Sequence, residues 1–333
     1  MAKQEVVTTQ VAGPEEKPPE TPPEPTPPKG ADEEPTEQPR QPFFAFFTPD
    51  ASKFSDEQIK EIVNQQVQLE VCKTNLGDSY NVLFMFDEAH IIRLNADRIY
   101  GAVTNADREK PILLILSSPG GDIAAAYFIA KLCREYTNHN FEVAVPRQAK
   151  SAATLICCGA DRIHMGSLSE LGPIDPQFGG VPALALKHSV EHLAQLAKAY
   201  PSAAGMFSDY LAKSLRVEAL GYYERVAKSA TQYAVRLLNS RRAKMLEPAE
   251  TSLIANRLVY EYTDHGFVID AREALDIFGD SIVVCNTSEY NAANSLYLQL
   301  GLMSWICNST YKKSLSFVGN AGGGCWLRPI DNG

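Results

Sequence analysis

The junction Ser117-Ser118-Pro119-Gly120-Gly121-Asp122 constrains this chain more than any other feature. It follows an apolar run at 111–116 and precedes an apolar-rich stretch at 123–136. A short run without polar alternation suits a strand buried on both faces, as in a parallel sheet; the longer stretch suits a helix. Two glycines at such a turn adopt backbone angles closed to other residues and leave N–H groups free to face an anion. The pattern recurs downstream. A strand is expected at 141–146, after which Ala149-Lys-Ser-Ala-Ala-Thr-Leu-Ile156 carries a lone serine, Ser151, into an apolar helix at 151–159. A serine at a helix N-terminus beside a glycine-built cradle supplies what acyl transfer needs: a nucleophile, and donors for the oxyanion.

Around these motifs, strands expected at 81–86, 111–117, 141–146 and 162–165 alternate with helices at 56–70, 95–106, 123–136 and 151–159, with Asn95 as a helix cap. That alternation is the signature of an α/β fold with a mostly parallel sheet. A Pro- and Gly-rich block, Gly172-Pro-Ile-Asp-Pro-Gln-Phe-Gly-Gly180, follows. From about 183 the chain turns helical, with candidates at 185–200, 202–214, 222–240 and 248–256. A last helix at 271–278 and a strand at 281–284 close the pattern. Beyond Cys285 the pattern weakens, and 286–333 is expected as a poorly specified tail, although 296–306 is apolar. Residues 1–45 alternate proline with Glu, Thr and Gln and cannot bury enough apolar surface to offset their ordering entropy. They are expected as a disordered tail, leaving 46–285 as the folded domain. The cluster Phe43-Phe-Ala-Phe-Phe47 is expected to dock on the body; a peptide that a partner recognises is the second reading.

A net charge of −9 argues against nucleic acid, whose phosphates demand a basic face. No run approaches the roughly 18 apolar residues of a membrane span, and no apolar signal region opens the chain. The expectation is a soluble, cytoplasmic protein. Seven cysteines (Cys72, Cys133, Cys157, Cys158, Cys285, Cys307 and Cys325) show neither metal-ligand spacing nor a disulfide framework, which suits a reducing compartment. No Walker-type phosphate loop is present, so any energy-dependent unfolding is expected from a partner, and no cofactor or metal is expected.

The residues Ser118-Pro-Gly-Gly-Asp122, Ala149-Lys-Ser-Ala-Ala-Thr-Leu-Ile156, Gly159-Ala-Asp161 and Leu171-Gly-Pro-Ile-Asp-Pro-Gln177 resemble the Clp protease and crotonase superfamily. The match is best with the serine dehydrogenase proteinase family, allied to signal peptide peptidase-like serine peptidases. His265-Gly-Phe-Val-Ile269 with 271–279 resembles that family's C-terminal end more weakly. The resemblance implies a Clp/crotonase-like ββα superhelix, assembly as a homo-oligomer, and serine peptidase chemistry on a peptide or protein substrate. It makes Ser151 the nucleophile, rather than a mere helix cap, and gives the oxyanion to backbone N–H groups of Gly120 or Gly121 and of Ala152.

A serine hydroxyl needs a neighbour to take its proton. Clp proteases place a histidine in the segment that here reads 172–177, and this chain has none there. The closer relatives resemble Ser-Lys enzymes, which makes Lys187, just beyond that block, the first candidate base; a buried lysine can serve near neutral pH. Lys213 and Lys228 follow. The Lys150 side chain is expected to diverge from that of Ser151. His164 is expected as an ordinary strand residue, and His188 with His192 as surface histidines one helical turn apart. Asp122 is expected to cap helix 123–136, and Asp175 to hold a rigid turn. The rivals to a peptidase are a catalytically inactive oligomeric scaffold whose proline-rich tail recruits partners, and an acyl-CoA enzyme in which the glycine turn holds a thioester enolate.

Overall fold

The computed structural model describes residues 42–330 apart from 49, 176, 179–180, 183–184, 215–216 and 243–245. The proline-rich stretch expected as a disordered tail lies outside the described residues up to position 41. A 3-10 turn at Pro42–Phe47 and another at Ala51–Lys53 lead into α1 (Asp56–Lys73), α2 (Leu76–Ser79) and β1 (Asn81–Phe86). Next come α3 (Arg93–Val103), β2 (Ile112–Ser117), α4 (Ile123–Glu135), β3 (Phe141–Ala144) and β4 (Gln148–Ala149). The serine-bearing motif opens α5 (Ala152–Cys158), followed by β5 (Arg162–Met165), β6 (Glu170–Leu171), β7 (Gln177–Phe178) and β8 (Val181–Pro182). Helices α6 (Ala185–Ala199), α7 (Ala204–Ser214), α8 (Val217–Leu238) and α9 (Pro248–Asn256) follow, then β9 (Ile269–Asp270) and α10 (Ala271–Phe278). The described chain ends with β10 (Val283–Cys285), α11 (Ser288–Tyr311), β11 (Lys313–Asn320) and β12 (Cys325–Pro329).

The main sheet has the order β10-β5-β3-β2-β1-β11-β12. Its first five strands are mutually parallel; β11 runs antiparallel to β1, and β12, antiparallel to β11, returns to the common direction. This is a mixed α/β fold with a mostly parallel sheet, as expected. The strand sequences explain the arrangement. Along β1, Leu83 and Met85 face one side while Val82, Phe84 and Phe86 face the other; along β2, Ile112, Leu114 and Leu116 oppose Leu113 and Ile115. Both sets are buried, so β1 is apolar from Val82 onward and β2 as far as Leu116. Helices α3, α4, α5 and α8 supply the core on the first face, and α1 with α11 on the second. Phe46 is buried in the second core against Tyr311, so the aromatic cluster docks on the body, with Phe44 and Phe47 exposed.

Two expectations need correction. Asn95 is not the cap of α3: it lies inside the first turn, and its Oδ1 accepts from the Ile92 N–H at 2.8 Å. Residues 286–330 are not a poorly specified tail, because α11 covers one face of the sheet and β11 pairs with β1. Helix α11 buries Leu296, Leu300 and Met303 yet exposes Leu298, Leu302 and Trp305. Apolar residues all round leave no amphipathic period to read.

Candidate active site

A second small sheet, β4-β6-β9, sits where β2 runs out into the glycine turn. Ser118 N donates to Gln148 O and Lys150 N to Ser118 O, at 2.9 and 3.1 Å, so the turn and the approach to Ser151 are laced together. Gly120 and Gly121 take φ of 104° and 146°, closed to L-residues without strain. A Cβ on Gly120 would lie 2.6 Å from Lys150 O and 2.9 Å from Ser151 Cβ. On Gly121 it would meet the Ile91 backbone at 2.4 Å. The glycines are thus required by close backbone approach as well as by φ.

Ser151 stands at the N-cap position of α5 but makes no capping bond. Its backbone, at φ 52° and ψ −114°, is one that a non-glycine residue adopts only at a cost of about 1–3 kcal/mol. The serine held there is 9% exposed, and its hydroxyl is unbonded among the described residues. Asp122, by contrast, does cap: it accepts from the Ala125 N–H at 2.8 Å. The far end of α5 is anchored by buried Arg241, whose guanidinium donates to the carbonyls of Cys158 and Cys157 at 3.1 and 3.3 Å. Burial lowers its pKa to about 10, still far above neutral, so the charge remains to serve the helix C-terminus. Cys157 and Cys158 are free core thiols, pushed up by burial, Cys158 to about 12.

Of the candidate oxyanion donors, the Gly120 N–H is already taken by Ser118 Oγ at 3.2 Å. The N–H groups of Gly121 and Ala152 have no acceptor among the described residues. Ser151 and Gly121 line a cavity of about 580 Å³, walled on one side by α8 through Val226 and Tyr233. Two histidines also line it, His90 and His265. Neither was singled out as a base in the sequence. His265 Nδ1 lies 3.7 Å from Asp175 Oδ2. That Nδ1 and Asp175 Oδ1 are both buried without a hydrogen-bond partner. The ring therefore turns its Nδ1 edge to a carboxylate and leaves Nε2 accessible. His90 makes no such pairing among the described residues.

The lysines fall elsewhere. Lys228 is exposed and paired with Glu224 at 2.9 Å, and Lys213 is exposed on α7. Neither lines the cavity. The backbone of Lys187 belongs to α6, but its side chain, like that of His188, lies outside the described residues. His192 is exposed. His164 is buried between Glu142 Oε2 at 2.9 Å and Thr287 Oγ1 at 2.8 Å, away from the cavity, as a strand residue in a polar network. Burial there pushes the Glu142 carboxyl up, but His164, Asn140 and Tyr80 together hold it below its ordinary value.

A model of the family described as ClpP-like SDH-type serine proteinase matches residues 86–199. These residues are similar to that family. The SDH-type match takes in the glycine turn, Ser151, Asp175 and Lys187, and stops short of His265. Two uncharacterized proteins of Methanocaldococcus jannaschii are similar to the chain. One is 40% identical over 97 residues, covering 29% of this chain and 34% of that protein. The other is 34% identical over 92 residues, covering 28% and 31%. The chain thus spans about a third of the length of the curated relatives it matches. Among solved structures, a serine-to-alanine mutant of the 1510-N membrane-bound stomatin-specific protease covers 76% of this chain and 95% of its own, at 13% identity and a TM-score of 0.39. A lysine-to-alanine mutant of the same protease, in complex with a substrate peptide, covers 76% and 90% at 14% identity and 0.39. Among the described residues no helix is long and apolar enough to cross a membrane.

Proposed function

We propose that the chain is a serine peptidase in which Ser151 attacks a peptide carbonyl, His265 is its base, and Asp175 orients the imidazole. The observation that carries this reading is the shared cavity. A strained serine with a free hydroxyl lines it together with a histidine whose Nδ1 faces a buried carboxylate. In the first step Ser151 Oγ bonds to the carbonyl carbon while its proton passes to His265 Nε2. The carbonyl electron pair moves to oxygen, where the Gly121 and Ala152 N–H groups receive it. Collapse breaks the C–N bond, and the imidazolium returns the proton to the leaving amine. Water then attacks the acyl-serine, gives its proton to Nε2, and releases the acid and the free hydroxyl. The 3.7 Å separation of His265 and Asp175 fits a site that tightens when substrate arrives.

Lys187, the base expected from the sequence, enters the same test. Wild type, Ser151→Ala, His265→Gln and Lys187→Ala are treated with a fluorophosphonate probe. Labelling lost in Ser151→Ala and His265→Gln but kept in Lys187→Ala is the expected result. Labelling lost in Lys187→Ala and kept in His265→Gln moves the base to Lys187. A wild type that never labels makes the chain a scaffold rather than an enzyme.

A further inference from the structure

The two segments that carry Asp175 and His265 meet at a side chain that the reaction above does not use. Lys150 immediately precedes Ser151, and its side chain is 13% exposed. Its Nζ lies 3.1 Å from Glu170 Oε2 and donates to Phe267 O at 3.2 Å, with Leu171 O at 3.4 Å. An ammonium has three N–H donors, so two carbonyls and a carboxylate use its full capacity. Glu170 and Leu171 form β6, whose chain runs on to Asp175; Phe267 lies two residues beyond His265.

The lysine stem is fixed as well as its head. Gly172 packs against it so closely that a Cβ there would sit 2.6 Å from Lys150 Cδ. The Lys150 backbone accepts from Ala153 N at 2.8 Å in α5 and donates to Ser118 O at 3.1 Å in the chain leading to Gly120. A second tie runs parallel to it: the Thr154 hydroxyl lies 2.7 Å from Gly172 O and 3.1 Å from Gly172 N. One residue thus touches the glycine turn, the serine helix, the Asp175 segment and the His265 turn.

We propose that Lys150 is a positioning residue that holds the His265 turn and the Asp175 segment in register with Ser151. The proposal rests on the assignment of His265 and Asp175 made above. Lys150 is not itself the base in this account. All three of its donors face acceptors, and it does not line the cavity. Its Nζ is paired with the Glu170 carboxylate at 3.1 Å. The backbone carbonyl of Phe267 is the element that matters most, because it ties the 264–268 turn directly to the residue before Ser151. Within it, Gly266 N donates to Asp264 Oδ1 at 3.0 Å and Phe267 N to Asp264 O at 3.1 Å.

The test compares wild type, Lys150→Met, Lys150→Arg, Ser151→Ala and His265→Gln by fluorophosphonate labelling, following rate and final stoichiometry, with a thermal midpoint for each. Lys150→Met is expected to reach wild-type stoichiometry about 10–100-fold more slowly, the scale of a modest misplacement of reacting groups. Lys150→Arg is expected to recover part of the rate. Lys150→Met labelling at the wild-type rate overturns the proposal, and so does a loss confined to stoichiometry, which is the mark of a merely structural residue. Should Lys150→Met fail to fold, Glu170→Gln removes the charge partner but keeps both carbonyl bonds. It is expected to slow labelling less, and an unchanged rate there overturns the proposal too. Labelling that survives His265→Gln instead removes the base on which the proposal stands, whatever Lys150 does.

Discussion

Gly120→Ala is the most exacting test of the turn, because the structure fixes both the sign and the scale of its effect. At φ 104° an alanine costs about 1–3 kcal/mol in backbone strain. The new methyl also lands 2.6 Å from Lys150 O and 3.2 Å from Ala152 N, both backbone atoms with no freedom to yield. Overpacking of that kind costs about 1–3 kcal/mol, and the stiffer unfolded chain returns only about 0.4–1 kcal/mol. The balance is a loss of about 3 kcal/mol. At about 2–4 °C per kcal/mol for a chain of this order, the calorimetric midpoint should fall by roughly 6–12 °C. The folded fraction should also label slowly, by about 100-fold, because the methyl pushes on Ser151 Cβ and on a proposed oxyanion donor. Gly101→Ala is the control. That glycine lies in α3 with nothing within 4 Å of an added Cβ, so alanine there should stabilise by about 0.5–1 kcal/mol and label normally. A Gly120→Ala protein within 1 °C of wild type, in an experiment resolving ~1 °C, would refute the close-approach argument.

Three further outcomes follow from the same geometry. Glu142 has its pKa lowered in the folded state, so it contributes stability above the ordinary carboxylate value of about 4.3 that disappears as pH falls through its folded value. Urea midpoints taken from pH 7 to pH 3 should therefore show Glu142→Gln weakest relative to wild type near neutrality, with the gap closing in acid. Arg241→Ala strips the last carbonyls of α5 of their buried donors and should cost about 3 kcal/mol or more by chemical denaturation. Asp122→Ala removes the cap of α4 and should cost about 1 kcal/mol in the same assay.

How far the sequence could be read depended on how much each element says locally. The strands β1 and β2 are mostly apolar runs bounded by turn residues, β3 and β5 are short and mix apolar with polar residues, and all four lie within a residue or two of their expected positions. The turn and Ser151 were legible for the same reason, since glycines and a lone serine at strand-to-helix junctions carry their chemistry in adjacent letters. His265 was not. It reaches the cavity through the small sheet, whose strands β4, β6 and β9 are two residues long and have no period to detect. The pairing of Glu170 with Asp270 and of Leu171 with Ile269 brings its turn beside the Asp175 segment. Helix α11 was missed for the opposite reason: it is apolar on every side, and a helix without a polar face gives the eye no phase. Ser151 also shows why a generic role can mislead. Serine is the ordinary helix cap, and here its backbone angles preclude the cap bond.

The antiparallel pairing of β1 with β11 has a consequence for how the molecule is made. Leu83 to Phe86 sit opposite Phe317 to Asn320, at nearly the other end of the described chain. On the ribosome, β2, the parallel neighbour of β1, emerges long before the strand that closes its far side. Until then β1 presents an open row of amide groups, and Phe84 lacks the ring of Phe317 that it meets edge-on in the finished fold. The nascent chain must therefore carry an unsealed, apolar sheet edge through most of its synthesis. A stop between Ser151 and β11 would release a polypeptide with the glycine turn and the serine already translated but with a sticky border, better suited to aggregation than to function.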